Sequence, residues 1–105
     1  MRLNEKKLGV LLAASPGEPN FGRGIGLAEA AMERGAQVYV YCIDDAVAGL
    51  NDAKLQALKA RGAKLFACAF GAQRRNVSLT DLATFAGLST VNELIAHTDR
   101  FVAFS

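Results

Sequence analysis

One cysteine followed closely by two arginines is the group of residues in this sequence that could most readily do chemistry. Cys68 closes a short apolar run, and Arg74 and Arg75 follow six and seven residues later. A cysteine between a strand and a helical turn faces unpaired backbone N–H groups and the positive end of the helix dipole. These groups stabilise a thiolate, the nucleophilic form of the side chain. By position alone, a reactive thiol and an inert buried cysteine are equally compatible with the sequence.

A second cysteine, Cys42, lies near the end of the apolar run Val38–Ile43. If the strands that carry the two cysteines are neighbours, both thiols lie at one sheet edge and a regulatory disulfide is conceivable. A packing role is favoured for Cys42, because cysteines in such runs are typically buried. Two cysteines in 105 residues are too few for a disulfide scaffold.

Two further motifs carry weaker signals. Residues 22–26 read Gly-Arg-Gly-Ile-Gly where a phosphate-binding loop would open a helix, but they match neither the dinucleotide nor the Walker pattern. Close packing of a helix on a sheet is therefore favoured over anion or nucleotide binding. His97 is the only histidine and lies far in sequence from both cysteines, which gives no zinc-ligand spacing. No metal and no cofactor are predicted.

Four apolar runs predict the strands that position these residues. They are short and continuous, which is typical of strands buried on both faces of a parallel sheet. In chain order, the predicted strands are Leu8–Ala13, Val38–Ile43, Lys64–Ala69 and Phe101–Phe104. The acidic pair Asp44–Asp45 and Cys68 thus fall at the carboxyl ends of two strands.

Helical patterns separate these runs. Apolar residues recur at helical spacing over 21–32, and Gly35 ends that helix in a left-handed conformation. A second helix begins at Asn51 or Asp52 and ends at Gly62. Helical turns are predicted at 46–50, 70–75 and 80–86, and a capping box at 90–93 opens a last helix that buries Val91, Leu94 and Ile95.

The alternation of strands and helices predicts one domain over residues 1–105. Its fold class is α/β, a three-layer α/β/α sandwich with a mainly parallel sheet of four to five strands. In such sheets a ligand lies outside the carboxyl ends of the strands. We therefore expect a pocket around Cys68 whose remaining residues are Ser15, Phe21, Asp44, Asp45, Arg74 and Arg75.

Composition excludes several classes of protein. A hydrophobic fraction of 51% with 21% charged residues excludes disorder, and a net charge of +2 without a basic run leaves no footprint for nucleic acid. No apolar run approaches the length of a membrane span. The basic start before Leu8–Ala14 imitates a secretory signal, but Asn4 and Glu5 interrupt it and cleavage would remove the first strand. A cytoplasmic location is predicted.

The segment Leu65–Val77, LFACAFGAQRRNV, resembles the cysteine segment of the DsrE/DsrF-like sulfur-relay family. There a strand delivers a cysteine, followed by small and apolar residues and an Arg-Arg-Gly type turn. Asn76 stands where the family often has glycine, and asparagine tolerates the same left-handed turn. The family's first strand and loop, its second unit and its closing helix and strand resemble Gly9–Pro16, Gly35–Val47 and Leu94–Ser105.

The resemblance implies a sulfur carrier or sulfurtransferase. Cys68 would accept sulfane sulfur as a persulfide and pass it to a thiol of a donor or acceptor protein, with Arg74 and Arg75 shaping the site. Relatives of this type form homotrimers or homohexamers, which agrees with the apolar composition of this chain.

Two alternatives belong to other classes. A non-catalytic α/β module would bind a small anionic ligand or a protein partner, and its Cys68 would be buried and unreactive. A redox-sensing thiol protein would use Cys42 together with Cys68. Fast alkylation of Cys68 at neutral pH would favour the sulfur relay over the binding module, and a reversible mobility shift that needs both cysteines would favour the sensor.

Overall fold

A single parallel sheet organises the computed structural model, which describes residues 2–105. The strands are β1 (Lys7–Leu12), β2 (Gln37–Cys42), β3 (Lys64–Cys68), β4 (Thr84–Ala86) and β5 (Arg100–Phe104). The α-helices are α1 (Pro19–Glu33), α2 (Ala53–Ala60), α3 (Ala69–Arg74) and α4 (Ser89–His97), and a 3₁₀ helix covers Asp44–Gly49.

The strand order is β4-β3-β2-β1-β5, and every pairing among these strands is parallel. At the carboxyl edge, Leu12 pairs with Cys42 of β2 and with Phe104 of β5. Cys42 in turn pairs with Ala67, and Cys68 pairs with Ala86 of the edge strand β4. The register therefore brings the ends of β2 and β3 together, as predicted for an α/β fold of this class, and adds the end of β4 beside them.

Helices cover both faces of the sheet. A Cβ atom added to Gly24 of α1 would lie 2.8 Å from Leu12 Cδ1, so α1 packs directly on one face. A Cβ atom added to Gly9 would lie on the opposite face, 3.4 Å from the methyl group of Thr98, the residue that follows α4. The three-layer sandwich predicted from the sequence is confirmed.

The core lies on the central strands. Val10, Leu12 and Tyr41 are fully buried, and Leu55 of α2 is 1% exposed. Apolar side chains fill both faces of β1 and β2, which explains why these strands appear in the sequence as continuous apolar runs.

The helix predicted at 80–86 is wrong. Residues 81–83 form a turn and β4 follows, with Thr84, Phe85 and Ala86 in register with β3. Pairing with the open edge of β3 gives these residues backbone hydrogen bonds that outweigh a weak local helical preference.

The start of α4 also differs from the prediction. The helix begins at Ser89 after Leu88, and no side chain caps it, so the capping box at 90–93 does not form. Leu94 is buried as predicted, whereas Val91 is half-buried and Ile95 is 53% exposed. The helix thus covers the sheet through a narrower apolar stripe than the sequence pattern indicated.

The predicted left-handed stops are confirmed. Gly35 and Gly62 have φ angles of 97° and 113° after α1 and α2, and Asn76 has a φ of 55° after α3. None of the helices in residues 2–105 is both long enough and apolar enough to cross a lipid bilayer.

Candidate functional site

Cys68 is the last residue of β3 and the N-cap of α3. Its Sγ accepts a hydrogen bond from the Gly71 backbone N–H at 3.3 Å, because the first turn of the helix leaves that N–H without a backbone acceptor. The residue is 6% exposed. The sequence-predicted junction between strand and helix is therefore present, and it directs one backbone donor at the sulfur.

A cavity of about 460 Å³ opens at the carboxyl edge of the sheet beside this cysteine. Its walls come from the end of β2, from α3 and from the residue before α4. The lining residues are Ile43, Asp44, Cys68, Phe70, Gly71, Arg74, Arg75 and Leu88. Of the predicted site, the structure thus brings Asp44, Arg74 and Arg75 to the same cavity as Cys68.

Two guanidinium groups dominate the charge of the cavity. Arg75 forms an ion pair with Asp45 at 3.1 Å and also donates a hydrogen bond to the Gly71 carbonyl at 3.4 Å. Arg74 lies over the ring of Phe70, with 5.6 Å between its Cζ atom and the ring centroid. No carboxylate of residues 2–105 forms an ion pair with Arg74, so its charge remains available to an anion.

Asp44 has an unusual backbone at this edge. Its φ of 52° lies in the left-handed region, which aspartate tolerates better than most residues. This conformation turns the chain sharply from β2 into the 3₁₀ helix and leaves both Asp44 and Asp45 exposed. Asp44 accordingly lines the cavity, whereas Asp45 is joined to it through the ion pair with Arg75.

Tyr41 is a residue that the sequence reasoning missed. It is fully buried in β2, and its hydroxyl donates a hydrogen bond to the Ala86 carbonyl at 2.9 Å. Burial raises the pKa of Tyr41, and a negative charge on the neighbouring Cys68 sulfur would raise it further. The available signal was the alternation Tyr39-Val40-Tyr41, which points two phenols to one face of the strand.

Cys42 is fully buried on the other face of the sheet. It pairs with Ala67, and since successive side chains alternate between faces, its thiol points away from that of Cys68. Burial raises the pKa of Cys42 to about 12. Both cysteines are free, and their opposite directions disfavour the disulfide considered from the sequence. The structure agrees with the packing role that the sequence favoured for Cys42.

Two other predicted residues lie away from this cavity. Ser15 is not among the lining residues, and Phe21 is 3% exposed with its ring against Gly49, beside a separate depression. The glycines at 22–26 lie inside α1 rather than in a loop. At Gly24 the close contact with Leu12 explains the glycine, as the packing interpretation predicts, whereas a Cβ added at Gly22 or Gly26 would meet nothing within 4 Å.

Other chemical groups are remote from Cys68. His97 ends α4 and borders a depression with Phe66 and Thr98, so it does not line the cysteine cavity. No cluster of metal-binding side chains occurs within residues 2–105. A cleft of about 470 Å³ lies at the opposite, amino edge of the sheet, beside Lys7 and Arg100, where neither cysteine reaches.

The fold and this site define a small α/β protein with a thiol at the carboxyl end of a parallel strand. The model of the DsrE/DsrF-like family matches residues 6–104, and the chain belongs to that family. The crystal structure of the YchN protein from E. coli has a similar fold, with 18% sequence identity and a TM-score of 0.79. That similarity covers 99% of this chain and 100% of YchN. No curated protein matches the sequence.

Proposed function

We propose that this protein is a sulfur carrier that holds sulfane sulfur as a persulfide on Cys68. The observation that carries the proposal is the junction of β3 and α3, where the sulfur receives the Gly71 N–H and lines a cavity with two arginines. Membership of the DsrE/DsrF-like family supports the same conclusion. Sulfurtransferase activity would follow from loading and unloading this one residue.

The transfer is a thiol–persulfide exchange. The Cys68 thiolate attacks the outer sulfur of a donor persulfide, R–S–SH, and a new S–S bond forms as the donor's S–S bond breaks. The donor leaves as the thiolate R–S⁻, and Cys68 becomes a persulfide. Attack by an acceptor thiolate on the outer sulfur reverses the step. Sulfane sulfur moves without any external oxidant or reductant.

The charges around the cavity suit this chemistry. Thiolates and ionised persulfides are anions, and Arg74 has no carboxylate partner among the described residues. Arg75 forms an ion pair with Asp45 at 3.1 Å and also lines the cavity. The Gly71 N–H supports the inner sulfur. Together these groups place positive charge and one backbone donor where an anionic sulfur species would lie.

Self-association and protein partners belong to the same proposal. Phe70 and Leu88 line the cavity and are 65% and 59% exposed, and Ile95 of α4 adds further exposed apolar surface. Apolar groups at the mouth of the cavity suit contact with another subunit or with a donor or acceptor protein. We propose homotrimers or homohexamers in the cytoplasm.

The second candidate function is a binding module for a small anion. It is favoured by the burial of Cys68, which is 6% exposed, together with the guanidinium of Arg74 in the same cavity. In that case an anion would bind through the arginines, and the sulfur would not react. Thiosulfonate or phosphate would then bind equally well to wild type and Cys68→Ala.

The test is a cycle of loading and transfer. The full chain is incubated with inorganic polysulfide, desalted, and its intact mass is recorded before and after addition of a low-molecular-weight acceptor thiol. We expect a gain of one sulfur atom in wild type and its loss to the acceptor. Cys42→Ala, the matched control, should behave as wild type, because Cys42 points to the other face.

Cys68→Ala should gain no sulfur. Equal loading of Cys68→Ala and wild type would contradict the proposal, and so would a wild-type protein that stays unmodified over a range of polysulfide concentrations. The second outcome, combined with unchanged anion binding in Cys68→Ala, would favour the binding module.

A further inference from the structure

The buried phenol of Tyr41 has one hydroxyl proton and lies beside two acceptors. The proton is donated to the Ala86 carbonyl at 2.9 Å, and the sheet register places the Cys68 side chain on the same face, with Ala86 as its direct pairing partner. Tyrosine has a single O–H donor, so it satisfies one of these acceptors at a time or shares its proton between them. Which acceptor prevails depends on the charge of the sulfur.

The sheet register fixes this arrangement. Tyr41 pairs with Phe66, which is two residues before Cys68 on β3, so all three side chains point to the same face. Ala86 pairs directly with Cys68 on the other side of β3. The phenol thus lies beside the sulfur between two strands. Because Tyr41 is fully buried, its ring cannot rotate into solvent.

We propose that Tyr41 is a positioning residue whose hydroxyl proton turns from the Ala86 carbonyl to the Cys68 sulfur when that sulfur is anionic. The inference rests on the proposed function, in which Cys68 becomes a thiolate and then a persulfide anion. A hydrogen bond to a charged acceptor is stronger than one to a carbonyl, so ionisation of the sulfur drives the switch. The Ala86 carbonyl serves as the resting acceptor.

Other charged groups face the sulfur from different elements. Arg74 and Arg75 come from α3 at the cavity wall, and Asp44 borders the cavity from the turn after β2. Asp45 is paired with Arg75 and offsets part of its charge. These groups lie on the open side of Cys68, whereas the Tyr41 hydroxyl approaches from the protein interior, where screening by water is weak.

Tyr41→Phe tests the inference because it removes only the hydroxyl and retains the ring. Tyr39→Phe is the matched control, since Tyr39 lies two residues earlier on the same strand and face and its hydroxyl contacts Gln37. The rate of alkylation of Cys68 by iodoacetamide is measured against pH in the full chain, with the Cys68 peptide quantified by mass spectrometry.

The expected result is a shift of the Tyr41→Phe profile to higher pH by about one unit, equivalent to about a tenfold lower rate on the rising limb. Tyr39→Phe should retain the wild-type profile. A merely structural role of Tyr41 would lower the melting temperature without moving the profile. Profiles that coincide in all three proteins, or shift equally in both variants, would overturn the inference.

A second measurement, made on wild type and Cys68→Ala, tests the inference if the Tyr41→Phe protein fails to fold. In wild type, a tyrosine ultraviolet difference spectrum should develop over the same pH range as the alkylation profile, and it should be absent from Cys68→Ala. Its presence in Cys68→Ala, or its absence from wild type, would overturn the inference. Failure of persulfide loading with a shifted Tyr41→Phe profile would instead reject sulfur transfer and retain the role of Tyr41.

Discussion

At the residue scale, Cys68 is surrounded by donors of three kinds. The Gly71 N–H reaches its sulfur from the helix, the guanidinium groups of Arg74 and Arg75 line the cavity, and the Tyr41 phenol lies behind it. Cys42 lacks such an environment, since it is fully buried among apolar side chains. The two thiols of this protein therefore have different surroundings, although they lie on neighbouring strands.

Arg74 should act on charged reagents more than on neutral ones. Replacing Arg74 with Gln should lower the ratio of the iodoacetate rate to the iodoacetamide rate at Cys68 about threefold, because iodoacetate alone carries the negative charge. Arg61→Gln is the control, because Arg61 is an exposed residue at the C-terminal end of α2. An unchanged ratio in Arg74→Gln, at low and at high salt, would show that its charge does not reach the sulfur.

Cys42 should make stability fall at alkaline pH. Burial raises its pKa from 9.0 to about 12, so the native state holds a proton that the unfolded chain releases. The stability from the neutral thiol is complete below about pH 9 and is lost as the pH rises toward 12. Between pH 8 and 10 the free energy of unfolding should fall by about 1 kcal/mol more in wild type than in Cys42→Ala.

Denaturant unfolding at pH 8 and 10 measures this difference. Tyr41 adds a loss of the same sign above pH 10, because its pKa is also raised, so the comparison ends there. The same pH dependence in wild type and Cys42→Ala would contradict the assigned burial effect.

Sequence reasoning identified Cys68 and its arginines but missed the pairings that cross the fold. A cysteine at the end of an apolar run followed by Arg-Arg is visible in a linear sequence. The ion pair of Asp45 with Arg75 joins residues thirty positions apart, and the contact of Tyr41 with Ala86 joins two strands. Such contacts depend on strand order and register, which local patterns do not specify.

At the element scale, α1 is fitted to the sheet through one glycine. A Cβ at Gly24 would lie 2.8 Å from Leu12 Cδ1 and 3.1 Å from Phe104 Cδ2, whereas nothing lies within 4 Å of a Cβ at Gly26. Gly24→Val should therefore destabilise the protein by about 1–3 kcal/mol through overpacking. Gly26→Ala should stabilise it by about 0.5–1 kcal/mol, because glycine is a poor helix former.

Thermal and urea denaturation of the two variants check this contrast. Equal effects on stability would show that α1 does not approach β1 and β5 as closely as described. A gain in stability from Gly24→Val would contradict the packing directly.

The central strands and the edge strand β5 were predictable, and the edge strand β4 was not. The central strands appear as apolar runs because both of their faces are buried, and Gly35 and Gly62 stop helices where left-handed backbone is needed. β4 has three residues, none of them buried, so no run identifies it. β4 forms because the edge of β3 would otherwise be unpaired, and that edge exists only once the sheet has assembled.

At the scale of the whole molecule, several large apolar side chains are exposed at the cavity and on α4. Phe70, Leu88 and Ile95 are all more than half exposed, as is Leu79 in the segment after α3. Ile95→Glu should shift the protein from a trimer or hexamer toward the monomer, because a buried carboxylate at a subunit contact costs more than the lost apolar contact. Ala57→Glu is the control, since Ala57 is exposed on α2.

Sedimentation equilibrium gives the mass of each protein in solution. A wild-type monomer of 11.1 kDa at all concentrations would contradict the proposed self-association. If the assembly persists in Ile95→Glu and dissociates in Ala57→Glu, the subunit contact lies on the other side of the sheet, and the assigned contact at α4 is contradicted.

The most direct test of the proposed sulfur-carrier function is site-resolved mass spectrometry of the polysulfide-treated full chain. After alkylation and digestion, the Cys68 peptide should carry one additional sulfur atom in a large fraction of molecules, and the Cys42 peptide should carry none. Unmodified Cys68 peptides, or additional sulfur spread equally over both cysteines, would contradict the conclusion that this sheet edge is built to carry sulfur.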